Sequence, residues 1–101
     1  MVDSLPMTRP AALRRVRALA ETAGAVVFRP HARQRRVERN METRAILDVL
    51  RKGQIVEGPA LDAHGCWRCT MRRFLRSEIA TVVAALCEGK LVIVTAYEER
   101  S

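Results

Sequence analysis

Gly53 divides the chain into two stretches with different hydrophobic periods, and that change restricts the fold more than any other feature. Before it, apolar residues recur at helical spacing. Leu13, Val16, Leu19, Ala20 and Ala23 form one stripe, and Met41, Ala45, Ile46, Val49 and Leu50 form another. After it the period is strand-like: "QIVEGPAL", "CWRCTMRRFL", "EIATVVAALC" and "LVIVTAY" follow in turn, with "DAHG" and "EGK" as turns. The short β-branched run "AVVF", 25–28, lies between Gly24 and Pro30 and reads as a further strand. The expected order is α-β-α-α-β-β-β-β. It implies an α+β fold with helices packed on one face of a mainly antiparallel sheet.

Punctuation residues place the boundaries. Residues 1–8 read as a loose leader. Pro10 suits the first turn of a helix over 9–23 that Gly24 stops. Pro30 opens a second helix across 31–39, Asn40 caps a third, and Gly53 ends it. Gly58-Pro59 bends its strand or confines it to a sheet edge. Residues 9–98 then make one domain, and a chain of 101 residues can bury a core without staples.

Cys66, Cys69 and Cys87 leave an odd thiol, and no stretch reads as a signal peptide. The longest apolar run, "IATVVAALC", is about half of the ~20 residues a membrane-spanning helix needs. The expectation is a reduced, cytoplasmic protein with no membrane contact. "HGCWRC" pairs Cys66 and Cys69 as Cys-x-x-Cys behind His64, but i and i+3 on a strand point to opposite faces. Two buried or half-buried thiols, with no metal and no cofactor, are the expected state. Trp67, with Cys69, Met71 and Leu75 in its alternate register, reads as core, and Thr81 as structural. Asp62 and Glu57 are too isolated to propose as a carboxylate pair. No phosphate-binding glycine loop, dinucleotide fingerprint, metalloprotease helix or nucleophile elbow is present.

Charge is the feature that points outward. The net charge is +7 with an isoelectric point near 10.6, which favours anionic partners. Sixteen of the eighteen basic residues are arginine, only Lys52 and Lys90 being lysine. Arginine suits bidentate phosphate contact, although GC-rich codon usage gives the same ratio. Half of the basic residues sit in two blocks. Residues 29–39 carry Arg29, Arg33, Arg35, Arg36 and Arg39 against Glu38, and residues 68–76 carry Arg68, Arg72, Arg73 and Arg76 with no acid. In a helix, His31, Arg35 and Arg39 share one stripe, while Arg33, Arg36 and Asn40 share another. Like charges so placed repel by a few tenths of a kcal/mol per pair, roughly, which a solvated helix with no function also tolerates.

"PHARQRRVER", "ILDVLRKGQIVE" and "LVIVTAY" together resemble a small bacterial family of unknown function with a His-Ala-x-x-Arg signature. That family in turn looks like the RelE-type toxins of the barnase–EndoU–colicin–RelE ribonuclease group. The resemblance covers about residues 25–98. His31, Ala32 and Arg35 match the signature, Gly53 the glycine after the helix, and Thr95 and Tyr97 the closing strand. "RRFLRSE" stands where a glycine-containing hairpin is expected, and residues 1–24 add a helix ahead of the first strand. The resemblance implies a RelE-like fold and a toxin of a type II toxin–antitoxin system. The toxin would cleave mRNA, on or off the ribosome, and be neutralised by an acidic antitoxin protein.

The implied chemistry is metal-free attack of a 2′-hydroxyl on the adjacent phosphate. His31 would be acid or base, Arg35 would brace it or the phosphate, and Tyr97 would orient the base or donate a proton. Arg68 and Arg72 share one strand face and, with Arg33, Arg36 and Arg39, would hold phosphates. The competing expectation is a noncatalytic module on the same fold that binds RNA or an acidic protein through the same arginines. A recognition helix for DNA fits less well, because no companion helix stands at the required spacing.

Overall fold

The structure, a computed structural model, describes residues 7–29 and 41–100. The expected helix over 31–39, with the Asn40 cap, lies outside the described residues, as does most of the expected leader.

Helix α1 spans Arg9–Ala20. The Thr8 hydroxyl accepts the N–H of Ala11 at 3.2 Å, and Pro10 fills a first-turn position where no N–H is needed. The helix buries Ala12, Val16 and Ala20, one stripe at i, i+4 and i+8. It ends at Ala20, short of the expected residue 23. The Glu21 N–H turns back to the Ala18 carbonyl and the Thr22 hydroxyl takes the same oxygen at 2.8 Å, so the final carbonyls are satisfied early. Ala23 is therefore an exposed turn residue. The strand read over 25–28 is β1, Val26–Phe28.

Helix α2, Thr43–Lys52, buries Ile46, Val49 and Leu50, with Met41 buried just ahead of it. Its cap position is Glu42 rather than Asn40, and no side chain closes it. At its other end the Gly53 N–H donates to the Val49 carbonyl at 2.7 Å. A Cβ on Gly53 would stand 2.6 Å from that oxygen and 2.8 Å from the Arg72 carbonyl. Glycine is required there because helix end and sheet backbone nearly touch.

Four longer strands follow: β2 (Gln54–Leu61), β3 (Trp67–Phe74), β4 (Glu78–Cys87) and β5 (Lys90–Arg100). They form a five-stranded sheet with β1 in the order β1-β5-β4-β3-β2. Only β1 on β5 is parallel; every other pairing is antiparallel. The fold is thus α+β, with two described helices on a mostly antiparallel sheet. β2 is the edge strand that Gly58-Pro59 announced, and its register shifts on both sides of Glu57.

Both described helices pack on one face. Val16, Ile46 and Leu50 meet Cys69, Met71, Val82, Leu91 and Ile93, with half-buried Trp67 against the same core. Leu75 does not join that register: it lies past the end of β3 and is exposed.

Arginines clasp this layer together. Arg17 donates to the Gly53 carbonyl at 3.1 Å, and Arg51 pairs with Glu21 at 3.3 Å. Arg73 pairs with Asp48 of α2, and Arg9 donates to the Gly58 carbonyl at 2.9 Å. Part of the basic excess is therefore internal structure rather than a display to partners.

The reading of three thiols is corrected. Cys66 and Cys87 form a disulfide whose Cα atoms are 4.8 Å apart, within the usual range. The pair extends the β3–β4 ladder beyond Trp67↔Leu86. Cys69 alone is free; it is buried on the helix-covered face, and burial pushes its thiol up. Cys66 and Cys69 do differ in face, as strand parity requires. The expectation of a fully reduced protein does not hold for this structure. Among the described residues no helix is long and apolar enough to cross a membrane.

Candidate nucleic-acid interface

No described helix covers the second face of the sheet. Strand alternation puts Arg68, Thr70, Arg72 and Phe74 of β3 on it, and the register adds Thr81 and Val83 of β4 and Thr95 and Tyr97 of β5. Arg68 and Arg72 therefore do share a face, as their spacing predicted. Arg73, between Arg72 and Phe74, points the other way to Asp48.

One ladder row organises the centre. Gln54, Arg72, Thr81 and Tyr97 stand side by side on β2, β3, β4 and β5. The Arg72 Nε donates to the Thr81 hydroxyl at 3.2 Å. Thr81 is fully buried, so this bond seats the guanidinium and satisfies a hydroxyl that would otherwise be costly to bury. An arginine held through Nε keeps its two terminal amino groups as the fork that matches a phosphate. Tyr97 is two strands away, about 9.5 Å at ordinary strand spacing. Thr81 is structural, as expected, and it also positions Arg72.

Arg68 is placed differently. Its terminal nitrogen lies 3.9 Å from Asp62 Oδ2. Asp62 Oδ1 accepts the backbone N–H groups of His64 at 2.9 Å and Cys66 at 3.0 Å. Oδ2 is buried and makes no hydrogen bond, so Arg68 is its nearest compensation. The Cys66 N–H bond holds the Asp62 carboxyl below its ordinary value, with the His64 N–H and Arg68 acting in the same direction against the opposing effect of burial. Asp62 orders the β2–β3 turn and restrains Arg68. Beside Arg68, a shallow cavity of about 320 Å³ is lined by Glu57, Gly58, Ala60, Arg68 and Thr70.

Of the residues singled out by sequence, Arg68, Arg72 and Tyr97 are brought onto one face. His31, Arg33, Arg35, Arg36 and Arg39 lie outside the described residues. The chain leads toward them from Arg29, whose N–H donates to the Ile93 carbonyl of β5 at 3.3 Å. Sequence reasoning missed Thr81 as the seat of Arg72 and Asp62 as the partner of Arg68. Only parity from Arg72 marked Phe74 as a member of this face. His64 is exposed in the β2–β3 turn, away from the central row. No group of three or more His, Cys, Asp or Glu among the described residues is placed to hold a metal ion.

Such a face can hold an anionic chain: two cations four residues apart on one strand, threonine hydroxyls and a phenol. The family model for a domain of unknown function, DUF4258, matches residues 28–98, leaving α1 outside the match. Neither a curated protein nor a solved structure matches the chain.

Proposed function

We propose that this chain, which belongs to the DUF4258 family, binds RNA on the side of its sheet opposite the two described helices and cleaves it without a metal, as the toxin of a toxin–antitoxin pair. The observation that carries the reading is the row Arg72–Thr81–Tyr97, in which a seated guanidinium stands two strands from a phenol. The resemblance to RelE-type toxins and the net charge of +7 support it.

In the proposed reaction a base takes the 2′-hydroxyl proton and the oxygen attacks the adjacent phosphorus. The bond to the 5′-oxygen breaks, and an acid returns a proton to that oxygen. The products are a 2′,3′-cyclic phosphate and a 5′-hydroxyl. Arg72 stabilises the charge that builds on the phosphoryl oxygens, and Arg68 holds a neighbouring phosphate. His31 transfers protons with Arg35 bracing it, Tyr97 orients the reacting groups, and Arg33, Arg36 and Arg39 extend the phosphate track. The setting is cytoplasmic mRNA, free or on the ribosome, and the neutralising partner is an acidic antitoxin.

A noncatalytic RNA-binding module is the second reading. It keeps the cations of this face and makes no demand on His31. Induced expression of the wild type beside His31→Ala and Arg72→Ala separates the two. Growth arrest with new RNA ends in the wild type alone is the expected result. Intact RNA in all three, with binding of RNA by the purified wild type, leaves the noncatalytic module.

A further inference from the structure

Phe74 ends β3 on the face opposite the two described helices and is 69% exposed. A ring so exposed adds little to the core and leaves apolar area in water, so its place in the face needs another reason. It pairs in register with Ile79 and lies two residues beyond Arg72 on the same side, about 6.7 Å along the strand. The Leu75 N–H donates to the Glu78 carbonyl at 2.8 Å, which closes the turn and holds the ring at the end of a paired hairpin. Arg76 stands exposed in that turn. Cations therefore flank the ring on both sides in sequence.

We propose that Phe74 is a base-stacking platform: one unpaired base lies on its ring while Arg72 and Arg76 take the phosphates on either side. The inference rests on the reading of this face as RNA-binding and narrows the substrate to single-stranded RNA. A flat π surface between cations is the combination that single-strand binders use, because every base has a face to stack. A base inside a duplex cannot reach such a ring. Aromatic residues are 4% of the chain, and Trp67, on the opposite face, packs against the core, so the platform serves one base rather than a run.

The test is the affinity of the intact protein for a short unstructured RNA oligonucleotide and for an RNA duplex, by fluorescence anisotropy at fixed salt. The wild type, Phe74→Leu, Phe74→Tyr and Arg72→Ala are compared. Phe74→Leu weakens single-strand binding roughly ten-fold, the size of one lost base stack, and leaves duplex binding nearly unchanged. Phe74→Tyr retains the wild-type affinity. Equal affinity in Phe74→Leu and the wild type overturns the platform; if Arg72→Ala still loses affinity, the RNA-binding face survives without it. Equal loss in the leucine and tyrosine variants also overturns it, since aromaticity is then not the reason. A Phe74→Leu protein that keeps RNA but releases an acidic protein partner assigns the ring to protein docking. A wild type that binds neither RNA overturns both readings.

Discussion

The two faces of the sheet use arginine in opposite ways. On the helix-covered side Arg17, Arg51 and Arg73 each meet a carbonyl or a carboxylate from another part of the chain, Arg51 at the exposed rim. On the other side Arg72 is seated through Nε on a threonine, and Arg68 meets one carboxylate at the long distance of 3.9 Å. The first arrangement ties parts of the chain together, and the second holds each guanidinium by a single contact. Net charge does not distinguish them; only the neighbour of each guanidinium does.

Adjacent residues of β3 offer the sharpest way to break that contrast. Met71 is fully buried on the covered face, and Met71→Ala should cost about 2–5 kcal/mol in urea unfolding. Arg72→Ala, one residue on, should cost about 1–3 kcal/mol of stability, because the buried Thr81 hydroxyl loses its partner. It should instead weaken RNA binding and lower the salt slope of that binding by about one. Equal stability losses with no change in binding would erase the distinction between the faces.

The disulfide tests whether the end of the β3–β4 ladder needs a staple. Cys66→Ser with Cys87→Ser should lower stability by about 3 kcal/mol, given the sequence separation of 21 residues. Thermal unfolding with and without reductant checks it: a double variant insensitive to reductant and as stable as the wild type would show that the ladder holds without the bond.

The smallest effect expected is with pH, and it runs in opposite senses at two carboxylates. Asp62 is held below its ordinary value of 3.8 by the Cys66 N–H, so its contribution is present above that value and lost as pH falls through the lowered one. Glu98 is raised above 4.5 by burial, with the Glu78 charge and hydrogen bond adding to it. It therefore costs stability at neutral pH, a cost relieved as pH falls. Unfolding from about pH 7 to about pH 3 should show Asp62→Asn less stable at the upper end with a shallower acid decline, and Glu98→Gln more stable there. Asp62→Asn identical to the wild type throughout would remove the carboxylate from the account of Arg68.

What was legible in the sequence follows physical range. The 3.6-residue period ahead of Gly53 and the period of two after it depend on local geometry, and both recur in the fold. Parity put Arg68 and Arg72 on one face before any strand had a partner. The helix end near residue 20 was misplaced because a side-chain hydroxyl, Thr22, competes for the last carbonyls in a way spacing does not reveal. Leu75 was placed one residue inside a strand that the Leu75–Glu78 turn closes.

The sequence by itself determined the types of the described elements, the edge role of Gly58-Pro59, the cationic excess and the side each β3 residue takes. Tertiary structure alone decided which arginines tie parts of the chain together and which are held by a single contact. It also decided that Cys66 meets Cys87 rather than Cys69, and that Thr81 stands between Arg72 and Tyr97. The physical reason is range: these contacts join residues 9 to 36 positions apart. Nothing local marks one distant residue as the partner until the strands have paired.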